Sequence, residues 1–186
     1  MNKELDLNSQ KEFFEAEKLF KEKKFNNALT HYQNILKKFP NHLAVLNNIG
    51  QIFELQGKYE KAMEAFKKCH EINSNEKIFI HNLANIYFLR KDFINSMPLL
   101  KKIIDIGLDH EGNCEKYAIC LFNTKAFKET KDFIKSIHLK YPKNDLLNRL
   151  LGRSLLNLNS HEEGLKYLQS SHGFIQLTPN GIKYLT

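Results

Sequence analysis

Two short stretches decide the fold: Asn27-Ala-Leu-Thr-His-Tyr32 and Lys61-Ala-Met-Glu-Ala-Phe66. They lie 34 residues apart, and each places a small residue four positions before a large aromatic one. When the same offset is carried along the chain without a gap, residues 9–178 divide into units at 9–42, 43–76, 77–110, 111–144 and 145–178. A fixed period of this length indicates a stack of repeated supersecondary units.

Several aligned columns keep one kind of side chain from unit to unit. Small residues, or nearly small ones, fill the columns Ala16, Gly50, Ala84, Ala118, Gly152 and Ala28, Ala62, Ser96, Thr130, Gly164. Large apolar residues fill the column Tyr32, Phe66, Leu100, Ile134, Leu168. Two antiparallel helices approach closely where both present small side chains, and large neighbours fill the groove between them. The columns therefore predict ten helices in five hairpins, of which the fifth is weakened by Asn148, His161 and Gly164.

The period and the paired small residues resemble the tetratricopeptide repeat, most clearly in Leu46-Asn-Asn-Ile-Gly50, Gly57-Lys-Tyr59, Ala62 and Phe66. The resemblance implies an all-α chain, a right-handed superhelical solenoid of antiparallel hairpins. It also implies that the first helix of each unit lines a concave groove. We therefore expect a scaffold or adaptor that binds a protein or peptide partner, and we expect no enzyme activity.

Carried onto this chain, the resemblance places mainly amide and basic side chains in the groove. The predicted binding residues are Asn47, Asn48, Gln51, His81, Asn82, Asn85, Lys116, Asn123, Arg149 and Arg153. Amides have both donors and acceptors, so they can pair with the backbone of an extended peptide. Lys116, Arg149 and Arg153 favour carboxylates, which predicts an acidic partner segment.

One activity within the family is not expected. Tetratricopeptide co-chaperones hold a terminal carboxylate with a fixed set of Lys, Asn and Arg side chains. In one register the corresponding positions here hold Phe13, Glu17, Asn48, Ile78 and Asn82, so that only Asn48 matches. A register one unit further along is again incomplete.

Residues 173–186 do not follow the repeat. Phe174-Ile-Gln-Leu177 and Ile182-Lys-Tyr-Leu185 favour β-structure, and Thr178-Pro-Asn-Gly181 between them has turn chemistry, so we predict a short β-hairpin. We interpret it as a cap over the apolar edge of the last helix. The alternatives are an edge that pairs with another copy, or the start of a further domain. In the latter case the array would recruit substrates for an enzyme, such as a glycosyltransferase, sulfotransferase or oxygenase.

Local signals predict where some helices begin. Ser9-x-x-Glu12 and Ser160-x-x-Glu163 have the spacing of capping boxes, which open helices. Pro98 lies inside the predicted second helix of the third unit, where it should bend the helix or delay its start.

Composition narrows the class of protein further. The 186 residues are 42% hydrophobic, which argues against disorder, and the net charge of +7 is spread along the chain without a nucleic-acid-binding motif. No apolar run approaches the roughly 20 residues that cross a bilayer. The start is polar and shows no signal peptide, so we expect a cytoplasmic protein.

Candidate chemistry is sparse in the sequence. Cys69, Cys114 and Cys120 include no C-x-x-C pair, so we expect free, buried thiols. His110 and Cys114 are four residues apart but provide only two of the four ligands that a zinc site normally needs. No phosphate-binding loop or hydrolase motif is present. We therefore expect no catalytic residue, no metal and no cofactor.

Overall fold

The computed structural model describes residues 5–172, 174–178 and 181–185. Within these ranges, ten α-helices precede two β-strands. The helices are α1 (Leu7–Lys21), α2 (Phe25–Lys38), α3 (Leu43–Leu55), α4 (Tyr59–Ile72), α5 (Lys77–Leu89), α6 (Phe93–Asp105), α7 (Glu111–Asn123), α8 (Phe127–Ile137), α9 (Asp145–Asn157) and α10 (His161–His172). The strands β1 (Phe174–Thr178) and β2 (Gly181–Leu185) pair antiparallel. The predicted all-α repeat of paired helices is confirmed.

The backbone follows the period of the sequence. Each helix from α4 to α10 begins 34 residues after the helix two places before it. The interval between the starts of α1 and α3 is longer, because α1 begins early. A residue with φ between 59° and 70° follows the first helix of each pair, two positions after its last residue. These residues are Lys23, Gly57, Lys91, Lys125 and Asn159. The hydrogen bonds around Gly57 are those of a Schellman motif. The Gly57 N–H donates to Glu54 O, and the Lys58 N–H donates to Phe53 O.

The chain divides into two compact units, Met1–Lys91 and Asp92–Thr186. In the first unit, α1 packs on α2 and α3 packs on α4 as helical hairpins. Ala16 and Ala28 are fully buried where α1 and α2 cross, while Val45 and Ile52 of α3 are buried in the same cluster as Tyr32 of α2. This continuous apolar cluster is what joins one hairpin to the next.

The second unit contains α6 to α10 and has its own core. Ala118 of α7 and Ile134 of α8 join Leu147, Leu151 and Leu155 of α9 in one buried cluster. The helices α9 and α10 form the closing hairpin of this unit. The same rule of small residues at the crossing and larger aliphatic residues around it applies in both units.

Glycines mark two of the helix crossings. A Cβ atom on Gly50 would lie 2.5 Å from Cε1 of Phe66, so no larger residue fits between α3 and α4 without movement of that ring. A Cβ atom on Gly152 would lie 2.8 Å from the backbone oxygen of Gly164. Gly164 belongs to the column of small residues, and it gives α9 and α10 the room for this close approach.

The predicted start of the first helix was wrong, and of the two alternatives predicted at Pro98 the delayed start is excluded. The helix α1 begins at Leu7 rather than after Ser9, because the carboxylate of Asp6 accepts the Ser9 N–H at 2.7 Å and caps the helix earlier. Pro98 lies within α6 but does not delay the start of that helix at Phe93. It leaves the carbonyl of Ile94 without its helical donor, at a turn where the Ile94 side chain is exposed to water.

Candidate functional site

In the first unit, the predicted groove residues lie on α3 and α5. We call this set the amide surface; it comprises Asn47, Asn48, Gln51, His81, Asn82 and Asn85. Residues three or four positions apart share a helix face, which is why Asn47, Asn48 and Gln51 lie together on α3. All members are half-buried except Asn82, which is only 8% exposed.

Three amides of this surface connect neighbouring helices. The Asn82 Nδ2 donates to Asn47 Oδ1 at 2.8 Å, joining α5 to α3. The Asn48 Nδ2 donates to the Tyr32 hydroxyl at 2.9 Å, joining α3 to α2. The Asn85 Nδ2 donates to Glu54 Oε1 at 2.5 Å. These bonds fix the positions of the amides, and they give Asn82 a structural role that the sequence did not predict.

A depression of about 390 Å³ opens beside Asn47 and Asn48. Its apolar wall includes Phe13 of α1 together with Ile78 and Phe79 of α5. Glu17 and Glu76 add carboxylates to its lining. The groove prediction omitted Phe13 and Glu17. The sequence could have identified both residues, since they occupy in α1 the repeat positions that Asn47 and Gln51 occupy in α3.

A second depression lies at the other end of the same helices. It has a volume of about 490 Å³ and is lined by Phe20, Gln51, Glu54, Leu55, Tyr59 and Leu89. Leu55 and Leu89 are exposed although they are large and apolar. Both are the last residues of their helices, so this part of the surface offers apolar contact at its rim.

The second unit carries the basic residues of the predicted groove. We call Lys116 and Asn123 of α7, with Arg149 and Arg153 of α9, the basic surface. The Arg153 guanidinium lies 5.0 Å from the centre of the Phe122 ring, in cation–π geometry. Such stacking uses the face of the guanidinium and keeps its N–H donors at the edge for a carboxylate.

Acidic and neutral groups also lie near the basic surface. The Asn144 Nδ2 donates to carboxylate oxygens of both Glu111 and Glu115 at 2.7 Å, which ties α7 to the start of α9. Asn123 donates its amide to the carbonyl of Ile119 at 2.8 Å, within its own helix. The positive field of this surface therefore comes from α9 and Lys116 rather than from every residue of α7.

The cysteines belong to the core. Cys69, Cys114 and Cys120 are all free and buried, as predicted. Burial raises the pKa of the Cys69 thiol to about 12 and those of Cys114 and Cys120 to about 11. These thiols are therefore protonated at neutral pH and are poor nucleophiles.

Among the described residues, no three His, Cys, Asp or Glu side chains are grouped so that they could hold a metal ion. None of the described helices has the length and apolar character needed to cross a membrane.

Comparisons with known proteins agree with the architecture. Two family models, each described as tetratricopeptide repeat, match residues 44–76 and 14–42. A search of curated proteins found no match.

At the level of the fold, the chain is similar to the solved structures of three proteins. MamA AMB-1 has a TM-score of 0.78 at 16% identity, with 90% of this chain and 91% of that chain covered. YrrB, described as a TPR protein with an unusual peptide-binding site, has a TM-score of 0.78 at 14% identity, with 86% and 82% covered. MamA MSR-1 has a TM-score of 0.75 at 17% identity, with 89% and 95% covered.

Proposed function

Because this chain is a tetratricopeptide-repeat protein, we propose that it is an interaction scaffold that binds an extended, acidic segment of a partner protein along the first helices of its repeats. The observation that carries the proposal is the pairing of fixed amides with the depression beside Asn47 and Asn48, one wall of which is apolar. YrrB, which has a similar fold, is described as having a peptide-binding site, and this supports the same class of ligand.

The amide surface suits the backbone of an extended chain. Among the described residues, the side-chain bonds of Asn47 use its oxygen and those of Asn48 use an N–H. An amide has two N–H donors and one oxygen acceptor. The donors of Asn47 and the oxygen of Asn48 thus remain for a peptide, whose backbone carries both kinds of group.

The depression beside these amides suits a side chain of the same peptide. Successive side chains of an extended segment point to opposite sides, so a residue can enter the depression while its neighbours face water. Phe13, Ile78 and Phe79 provide the apolar contact there. An aliphatic or aromatic residue is the expected occupant, because burial of apolar area stabilises binding by about 25 cal/mol per Å².

The basic surface provides the preference for acidic residues. Arg149 and Arg153 lie one helical turn apart on α9, and Lys116 lies on the neighbouring α7. Arginine binds a carboxylate with two parallel hydrogen bonds, which gives direction as well as charge. We expect Asp, Glu or a terminal carboxylate of the partner to contact these residues.

The test is affinity capture from an extract of the source cells, followed by binding of tiled peptides from each captured protein, measured by fluorescence anisotropy. The variant Asn47→Ala/Gln51→Ala should weaken the best peptide several-fold. The matched control Asn27→Ala/Gln33→Ala removes the same residue types from exposed positions on α2 and should change nothing. Equal loss in both variants, or no loss in either, would contradict the proposed surface.

A further inference from the structure

A stripe of apolar and basic side chains runs along α1, on a side that the proposed function does not use. We call Leu7, Lys11, Phe14, Lys18 and Lys21 the α1 stripe. Their spacing of three or four residues places them on one helix face. Leu7 is 70% exposed and Phe14 is 71% exposed, and the three lysines are exposed around them.

The equivalent face of α3 shows how this face of a first helix packs within the repeat. Val45, Asn48 and Ile52 of α3 occupy the repeat positions of Lys11, Phe14 and Lys18. In α3 this face packs against the preceding hairpin: Val45 and Ile52 are fully buried, and Asn48 donates to the Tyr32 hydroxyl of α2. The α1 stripe thus has the geometry of a face that receives other helices, and its two apolar members are open to water.

The composition of the stripe indicates the kind of helix that fits. The end of a solenoid normally has a polar outer face, and Lys11 and Lys18 follow that rule. Leu7 and Phe14 do not follow it, and they lie seven residues apart, two turns of helix. A partner helix with apolar residues at the same seven-residue spacing could bury both. Its flanking residues would then meet lysines, so acidic residues are favoured.

The lysines also argue against a second copy of this chain on the same stripe. Two stripes in contact would place lysines against lysines, which costs free energy at an interface. Lys18 of the stripe pairs with Glu15, which lies outside it, Nζ to Oε1 at 3.9 Å; both side chains are exposed, so this ion pair is weak. Lys18 can therefore exchange it for a carboxylate of a partner.

We propose that the α1 stripe docks an acidic amphipathic helix of a partner protein, lying against α1 as the first hairpin lies against α3. This surface is separate from the amide surface, which takes an extended segment.

The probe is a fluorescein-labelled helical peptide of roughly five turns, with leucines at seven-residue spacing flanked by glutamates. Its matched control has lysines in place of the glutamates. With the full chain, we expect the acidic peptide to bind about tenfold more tightly than the basic one, measured by anisotropy at low salt. Phe14→Ser and Lys11→Glu/Lys18→Glu should each weaken the acidic peptide about tenfold.

Two controls separate this result from other causes. Leu139→Ser removes a side chain that is 96% exposed in the second unit, and it should leave binding unchanged. Asn47→Ala/Gln51→Ala should also leave it unchanged, which distinguishes the stripe from the proposed peptide surface. Phe14 is exposed, so Phe14→Ser should keep the thermal unfolding midpoint of the native chain.

Equal affinity for the acidic and basic peptides, or full binding by Phe14→Ser, would overturn the proposal. Self-association of the native chain in light scattering that Phe14→Ser abolishes would overturn it in favour of a second copy.

Discussion

The first helices of the two units present different chemistry at the same repeat positions. In the first unit, α3 carries the neutral amides Asn47 and Gln51 on its accessible face. In the second unit, α9 carries Arg149 and Arg153 at the corresponding positions, while its backbone begins in the same register of the repeat. The small and apolar columns hold the helices together, so the accessible columns can change without loss of the fold. Recognition can therefore differ between units that share one architecture.

The largest expected effect tests whether the contrast between units extends to the helix crossings. Gly152→Ala places a Cβ atom against the backbone of Gly164, which cannot move without separating α9 from α10. Gly50→Ala places a Cβ atom 2.5 Å from the ring of Phe66, and a side chain can move more readily than a backbone. We expect Gly152→Ala to lower the free energy of unfolding by about 3 kcal/mol and Gly50→Ala by about 1–2 kcal/mol, after the gain in helix propensity. Urea unfolding followed by circular dichroism measures both, and an equal or reversed order would show that the α9–α10 crossing is not the tighter one.

The next effect tests the difference in charge directly. Arg149→Glu/Arg153→Glu should weaken binding of an acidic partner peptide by tenfold or more and remove most of its dependence on salt. Asn47→Ala/Gln51→Ala should weaken acidic and neutral peptides alike by a few-fold, because amides bind the backbone. The measurement is anisotropy at two salt concentrations. The control compares the single variant Arg153→Glu with Lys128→Glu on α8, because both change the net charge by the same amount. If Lys128→Glu has the same effect as Arg153→Glu, the surface of α9 has no special role.

The fold was predictable from the sequence because its determinants recur at a fixed spacing. The buried residues Ala16, Ala28 and Tyr32 repeat as small and large columns, so the period alone placed the helices. The start of α1 was not predictable in this way, because Asp6 lies before the first repeat and competes as a cap with Ser9. Caps depend on one local hydrogen bond, which a periodic pattern does not report.

The candidate site was predictable only in part. The columns identified Asn47, Asn48 and Asn82 as polar positions on first helices, but they could not show that these amides bond across helices. The burial of Asn82 depends on the distance between α3 and α5, which is a property of the packed unit. Phe13 was not predicted for another reason, since the expected groove residues were polar and this aromatic residue occupies the repeat position of Asn47.

A smaller effect concerns the turns between paired helices. Lys125 in the second unit has φ 62°, whereas Gly57 takes the corresponding position with φ 70° in the first. A side chain in this left-handed region costs about 1–2 kcal/mol, partly offset because glycine makes the unfolded chain more flexible. Lys125→Gly should raise the free energy of unfolding by about 0.5 kcal/mol, and Gly57→Ala should lower it by about 1 kcal/mol. Urea unfolding measures both changes, and a loss of stability in Lys125→Gly would contradict this explanation.

The smallest effect concerns how two helices are capped. His42 caps α3 by accepting the Val45 N–H on Nδ1, whereas Asn144 caps α9 with its amide oxygen. Burial lowers the pKa of His42 below its ordinary value of 6.5. The unfolded chain therefore takes up this proton first, and stability falls as the pH drops below 6.5 towards the lower pKa of the folded state. His42→Asn should show a smaller loss of stability between pH 7.5 and 5.5 than the native chain, and an unchanged pH dependence would exclude His42 as a cause.

The central claim is that a partner lies along the first helices of the repeats. Hydroxyl-radical footprinting of the complex with a captured partner tests it most directly, because the first unit has exposed aliphatic residues on both kinds of helix. Leu55 and Leu89 end the first helices α3 and α5, and Ile72 ends the second helix α4. The account predicts that the partner lowers oxidation of Leu55 and Leu89 while that of Ile72 stays the same. Protection of Ile72 with Leu55 and Leu89 unchanged would contradict it.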